Sequence, residues 1–132
     1  MAMNKDNLNI SKIETYLAGI IDNVVSDNTY PGSLPTTINS AWSDMVLIDC
    51  ANAIADMEAY GRGVVLIWLY AKPRTDGTKN VALMSQLEKK LNEVIGAADD
   101  RHYIISRRDT FTDYDDARKW HCNIVELNIT IV

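Results

Sequence analysis

The sequence predicts an α+β fold, a mostly antiparallel sheet with two helices packed on one face. Two segments, 10–26 and 79–95, space their apolar residues by three and four, as helices do. Several others, of strand length, either alternate apolar with polar residues or run continuously apolar. Their order is helix, two or three strands, helix, two strands. That order favours hairpin-joined strands over strictly alternating strands and helices. The chain has 132 residues, enough for one domain with a core of its own, and 1–132 is read as a single unit.

In the first helix Ile10, Ile13, Leu17, Ile20 and Val24 form the stripe, widened by Ile21 and Val25. Ser11 followed by Glu14 fits a capping box. Ser26, Asp27 and Asn28 end the stripe, and Pro31, Gly32 and Pro35 disfavour any continuation. A loop then runs to about Trp42, long for a small domain.

The segment 44–59 fits two templates. Leu47, Cys50, Ile54 and Met57 suit a helix, and the alanines favour one. The strand reading takes Met45–Asp49 as one extended run and alternates Ala53, Ala55, Met57 and Ala59 with their neighbours. Gly61-Arg62-Gly63 would then be a hairpin turn. Strands are the expectation adopted here. Residues Val64 to Ala71 follow as eight apolar or aromatic residues in a row.

After Lys72, "PRTDGTKN" reads as a turn-rich loop. In the second helix Met84, Leu87, Leu91 and Val94 form the stripe, and Gly96 stands where a helix-ending glycine belongs. "RHYIISRR" reads as a short strand, "DTFTDYDDARK" as an acidic hairpin loop and "WHCNIVELNITIV" as a closing strand. In that last strand Val125, Leu127, Ile129 and Ile131 share one face, and Glu126, Asn128 and Thr130 the other.

Composition narrows the function classes. Apolar residues make up 47% and charged residues 23%, a globular balance. The net charge of −5 argues against a duplex-binding face, so sequence-specific nucleic-acid binding is not expected. The two cysteines, Cys50 and Cys122, show neither metal spacing nor a disulfide framework and read as buried thiols in a reducing compartment. The opening "MAMNKDNLNI" has no apolar signal-peptide region, and the longest apolar run is too short to span a bilayer. The expectation is a soluble protein made inside the cell, with no membrane partner.

Candidate chemistry is sparse. His102 and His121 are the only histidines, each in an expected strand without a second ligand at metal spacing. Asp109, Asp113, Asp115 and Asp116 resemble part of a calcium loop but lack its glycine and distal glutamate. No phosphate-binding glycine loop or nucleophile elbow is present, and Ser106 near His102 has no third member of a triad. Arg101, Arg107 and Arg108 balance the neighbouring aspartates. Trp68, Tyr70 and Trp120 suit a core or interface better than a stacked ligand. No catalytic residue, metal ligand or cofactor is assigned.

The eight-residue run carries the functional expectation. Val65, Ile67, Leu69 and Ala71 can lie under the helices, which leaves Val64, Leu66, Trp68 and Tyr70 facing away. Two helices cover one sheet face only. These four residues are therefore the expected subunit interface, and another copy of the chain is the simplest partner. The loops 28–42 and 73–79, with Tyr30, Trp42, Arg74 and Asp76, are the expected partner-binding loops.

The string of elements resembles a known family. An amphipathic first helix is followed by a proline-containing loop, "MVLIDC", "YGRGVVLIWLYAKP", the helix "ALMSQLEKKLNEVI", a strand, an acidic hairpin and a long closing strand. This is similar to the tail-terminator or tail-completion (neck) proteins of long-tailed bacteriophages and prophages. The resemblance implies a small α+β protomer in a ring, typically a hexamer, that caps the tail tube and joins it to the head. It implies other tail or head-completion proteins as partners, and a place in the cytoplasm during assembly and then in the virion. It carries over no catalytic residue and no cofactor. A second reading is a small ligand-binding or regulatory protein that dimerises through its sheet face. A third is an enzyme with a pocket near His102, His121 and the acidic loop.

Overall fold

The computed structural model describes residues 3–50 and 54–132. Among these, six strands form one sheet and two α-helices lie on one of its faces. The α+β class is as the sequence predicts. The elements are α1 (Ile10–Ile21), β1 (Thr29–Pro31), β2 (Asp44–Asp49), β3 (Ala55–Asp56), β4 (Gly61–Ala71), α2 (Val81–Ala97), β5 (Tyr103–Asp115) and β6 (Trp120–Ile131), and a 3₁₀ turn at Lys5–Leu8 precedes α1. The sheet order is β1-β2-β4-β6-β5, with β3 paired to the start of β4. Every pairing is antiparallel except β1 with β2.

The core follows from period two in the strands meeting period 3.6 in the helices. Ile13, Leu17 and Ile21 of α1 and Met84, Leu87 and Leu91 of α2 are buried on the sheet. They meet Val46 and Ile48 of β2, Val65, Ile67, Leu69 and Ala71 of β4, and Val125, Leu127, Ile129 and Ile131 of β6. The register sets Val65 against Leu127 and Ile67 against Val125, as the alternation requires. One end of this layer closes with polar groups. Asn123 donates to the Glu88 carboxylate at 2.7 Å, and the Lys79 ammonium donates to Asn123 Oδ1 at 2.7 Å and to Thr112 at 2.9 Å.

Element boundaries differ from the sequence expectation for identifiable reasons. Asn9, not Ser11, caps α1, its side chain accepting from the Lys12 amide at 3.0 Å. Glu14 does not close a capping box; its carboxylate instead accepts from the Cys50 amide at 3.0 Å, tying α1 to the end of β2. The helix stops at Ile21 rather than 26 because Asn23 takes a left-handed φ of 61°, which asparagine tolerates. Val24 is thereby turned out to solvent, while Val25 stays in the core. Gly96 lies inside the last turn of α2, and Ala98 caps it.

The 44–59 segment is extended where described: β2 covers Asp44–Asp49 as expected, but β3 keeps only Ala55–Asp56. The alternation proposed at Ala53 lies outside the described residues. The hairpin turn falls at Met57–Tyr60, with Glu58 at φ 69° and the Met57 amide donating to the Tyr60 carbonyl at 2.9 Å. Gly61 and Gly63 are therefore strand residues, not turn residues. Close packing explains them: a Cβ on Gly61 would stand 2.4 Å from Leu8 Cδ2, and one on Gly63 2.4 Å from Ile54 Cδ1.

The largest departure is β5. The acidic stretch is strand as far as Asp115, and only 116–119 is turn. A register shift between Arg107 and Thr110 absorbs the break, after which pairing resumes at Thr110–Val125. Thr110, Phe111, Thr112 and Tyr114 are strand formers, and their preference prevails over the charge of the aspartates among them.

Candidate functional site

The face of the sheet turned away from the helices is the candidate site. Along β4 it presents Arg62, Val64, Leu66, Trp68 and Tyr70; along β6, Trp120, Cys122, Ile124, Glu126, Asn128 and Thr130. β2 adds Met45 and Leu47, and β5 adds Ser106, Phe111 and Asp113. The two ends of this face differ.

At the Ala71 end of β4 the chain covers itself. Leu34, Ile38 and Trp42, from the loop after β1, pack on a second buried cluster of Met45, Tyr70, Trp120, Cys122 and Ile124. The loop is pinned at its exit. The Lys72 amide donates to the Ser43 carbonyl at 2.9 Å, and the Lys72 ammonium to the Ser40 carbonyl at 2.6 Å. The loop expected to bind partners thus serves first as a cover: its three apolar residues supply the missing layer. Sequence reading counted helices as the only available cover and overlooked a loop with apolar residues at 34, 38 and 42.

The four expected interface residues therefore separate. Val64, Leu66 and Trp68 are half-buried. Tyr70 is only 3% exposed, so its surface is used up within the chain. Trp68 stacks on Tyr70 with ring centres 6.3 Å apart. Its indole N–H is buried and has no hydrogen-bond partner among the described residues. Of the four expected loop residues, Tyr30 lies in β1 and Trp42 in the covering loop, and their rings meet at 5.9 Å. Arg74 and Asp76 sit apart from that pair, in the exposed turn between β4 and α2, where the Arg74 amide donates to the Thr78 carbonyl and the Asp76 carboxylate accepts from Thr78. Hydrogen bonds from the Thr78 side chain and amide hold the Asp76 carboxyl below its ordinary range.

At the Gly61 end of the same face no described loop packs over the sheet. Arg62, Val64, Ser106, Arg108, Asn128 and Thr130 line a depression of about 390 Å³ there, with the β3–β4 turn at its rim. Sequence reading missed this group. It placed Arg62 in a turn and grouped Arg108 with Arg101 and Arg107. The usable signal was the alternating Thr110, Thr112 and Tyr114, which extends β5 and puts a bulged Arg108 beside β6. Arg107 points the other way, donating to Thr110 at 2.6 Å and bonding Asn92 of α2.

The histidines and the acidic segment do not assemble. His102 is exposed beside the Val132 carbonyl, 3.3 Å away, and His121 lies at the opposite end of β6, edge-on to Tyr114 at 4.9 Å. Among the described residues no three His, Cys, Asp or Glu side chains gather as a metal site. Cys50 and Cys122 are buried and form no disulfide. Burial pushes both thiols up to about 11, so neither is a thiolate at neutral pH. No described helix is long and apolar enough to cross a membrane. Neither a protein-family model nor a curated protein sequence matches the chain.

Proposed function

We propose that this chain is a structural subunit of a phage or prophage tail or neck assembly, forming a ring that caps the tail tube and joins it to the head. The observation that carries the reading is the unevenly covered second face of the sheet, where Val64, Leu66 and Trp68 are left half-buried rather than sealed by the covering loop. The order of elements, which resembles that of the neck proteins, supports it. Burying a large apolar side chain contributes on the order of 2 kcal/mol, and a closed ring repeats that gain at every boundary. Tyr70 contributes nothing to such a boundary directly; it supports Trp68 from below. The partner-facing loops are those at the Ala71 end, where the bonds from Lys72 to Ser40 and Ser43 join the base of the 73–79 turn to the loop that carries Trp42.

Light scattering and native mass spectrometry test the reading. The wild type should give a mass several times that of one chain. Leu66→Asp should lose that mass while keeping its helical circular dichroism. A dimer that Leu66→Asp dissociates would favour the second reading, a ligand-binding or regulatory protein closed through its sheet face. A monomer at every accessible concentration would confine ring formation to the assembled tail, and its absence from purified virions would then overturn the reading.

A further inference from the structure

The depression at the Gly61 end is unusual in what lines it. This chain carries 18 acidic and 13 basic side chains, yet two arginines and no carboxylate border the depression. Arg62 stands opposite Thr130, and Ser106 opposite Asn128, so β6 forms the floor between β4 and β5. With strands about 4.8 Å apart, the arginine-bearing backbones are roughly 10 Å from one another. That separation lets two long guanidinium side chains reach one group from opposite sides. Neither Arg62 nor Arg108 forms an ion pair with any described residue. The side chains of Ser106, Asn128 and Thr130 likewise lack a hydrogen-bond partner among the described residues. Glu126, one side-chain step along β6 on the same face, lies outside the lining. Val64 adds an apolar wall, with Ala55 and Met57 at the rim.

We propose that this depression is an oxyanion-binding site, taking a carboxylate or phosphate group carried on a small apolar body. Every polar side chain lining it can donate a hydrogen bond, and the guanidinium fork matches the two oxygens of either anion. The half-buried Val64 beside them accepts the apolar remainder of the ligand. The volume exceeds that of a bare anion, which is why the ligand is an organic one. The arginine contacts stand independently of the ring reading; Val64 alone is common to both, and a monomer would still bind the anion.

The test titrates labelled full-length protein with phenyl phosphate and, separately, with benzoate, followed by amide and arginine Nε chemical shifts. Saturable shifts confined to Arg62, Ser106, Arg108, Asn128 and Thr130 are expected for at least one probe, and which probe saturates identifies the anion. Arg62→Ala and Arg108→Ala should each weaken binding about tenfold, because each removes a charge-assisted hydrogen bond. Both arginines are exposed, so the variants should fold, as their unchanged remaining spectra would show. Arg101→Ala, outside the depression, should bind as wild type does. Failure of both probes to saturate overturns the proposal. So does an equal loss in Arg101→Ala, which would reduce the effect to general charge.

Discussion

The two faces of β4 hold the same strand against two kinds of cover. Under the helices, Val65, Ile67, Leu69 and Ala71 are all 0% exposed. One residue over, Tyr70 is sealed by the loop, but Val64, Leu66 and Trp68 stay half-buried beneath an irregular loop or no described cover. A helix delivers an apolar side chain at every turn, so its stripe is continuous along the sheet. The loop delivers three, at 34, 38 and 42, and reaches only the end of the sheet where Lys72 anchors it. The second face is consequently a small core at one end and an open polar-rimmed surface at the other. A sheet face left by the helices is thus partly a matter of the chain's own loops, and only the remainder is available to partners.

Substitution on adjacent positions measures the contrast. Ile67→Ala should destabilise by about 2–5 kcal/mol in urea unfolding, the range for a fully buried large-to-small change. Leu66→Ala, its neighbour on the other face, should cost about 1 kcal/mol. Equal losses would mean that the loop packs as tightly as the helices, and the contrast would fail.

Trp42→Ala probes the cover itself. It should cost about 2 kcal/mol. Amide exchange should speed up across 32–43 while α1 and α2 keep their protection. If protection falls in the helices as well, the two layers unfold as one unit rather than two.

A smaller, pH-dependent effect is expected at the turn beside Trp120. Burial raises the Asp115 carboxyl, but hydrogen bonds from the Arg118 amide and guanidinium outweigh it and leave the group below its ordinary range. A depressed carboxylate adds stability above its unfolded-state value and loses it as pH falls through the folded one. Melting temperature should therefore drop on acidification through the carboxylate range, and Asp115→Asn should lower the neutral plateau and flatten that limb. An unchanged acid limb in the variant would remove Asp115 from the account.

The smallest effect belongs to Trp68→Phe. It deletes an indole N–H buried without a partner among the described residues, and relief of that cost offsets the poorer packing of the smaller ring. Stability should change by no more than about 0.5 kcal/mol. A loss near that of Trp42→Ala would show that the N–H is satisfied in solution.

The helix face was legible because periodicity alone determines it: the residues expected to be buried together at 65, 67, 69, 125, 127 and 129 are buried together. Caps and ends were less so, since Asn9 and Ser11 are both good capping residues and only the packing of Glu14 against β2 decides between them. The glycines at 61 and 63 looked like a turn because the approach of Leu8 and Ile54 is a long-range fact. β5 was read too short because its aspartates outweighed its threonines and aromatics in a local reading. The candidate site was half legible. Its apolar row follows from alternation, but Tyr70 depends on where the loop folds back, and the pairing of Arg62 with Arg108 on either side of β6 depends on strand order.

That strand order also sets a schedule. β6 leaves the ribosome after both β4 and β5, yet it lies between them, and they do not pair with one another. Until it arrives, β5 has no neighbour and β4 has only β2 and the short β3. The whole run from Val64 to Ala71 waits with one long edge open through the synthesis of α2 and β5. Non-local pairings of this sort are slow and leave the nascent chain prone to sticking. The interval between making β4 and making β6 is when the chain carries its longest unpaired strand edge.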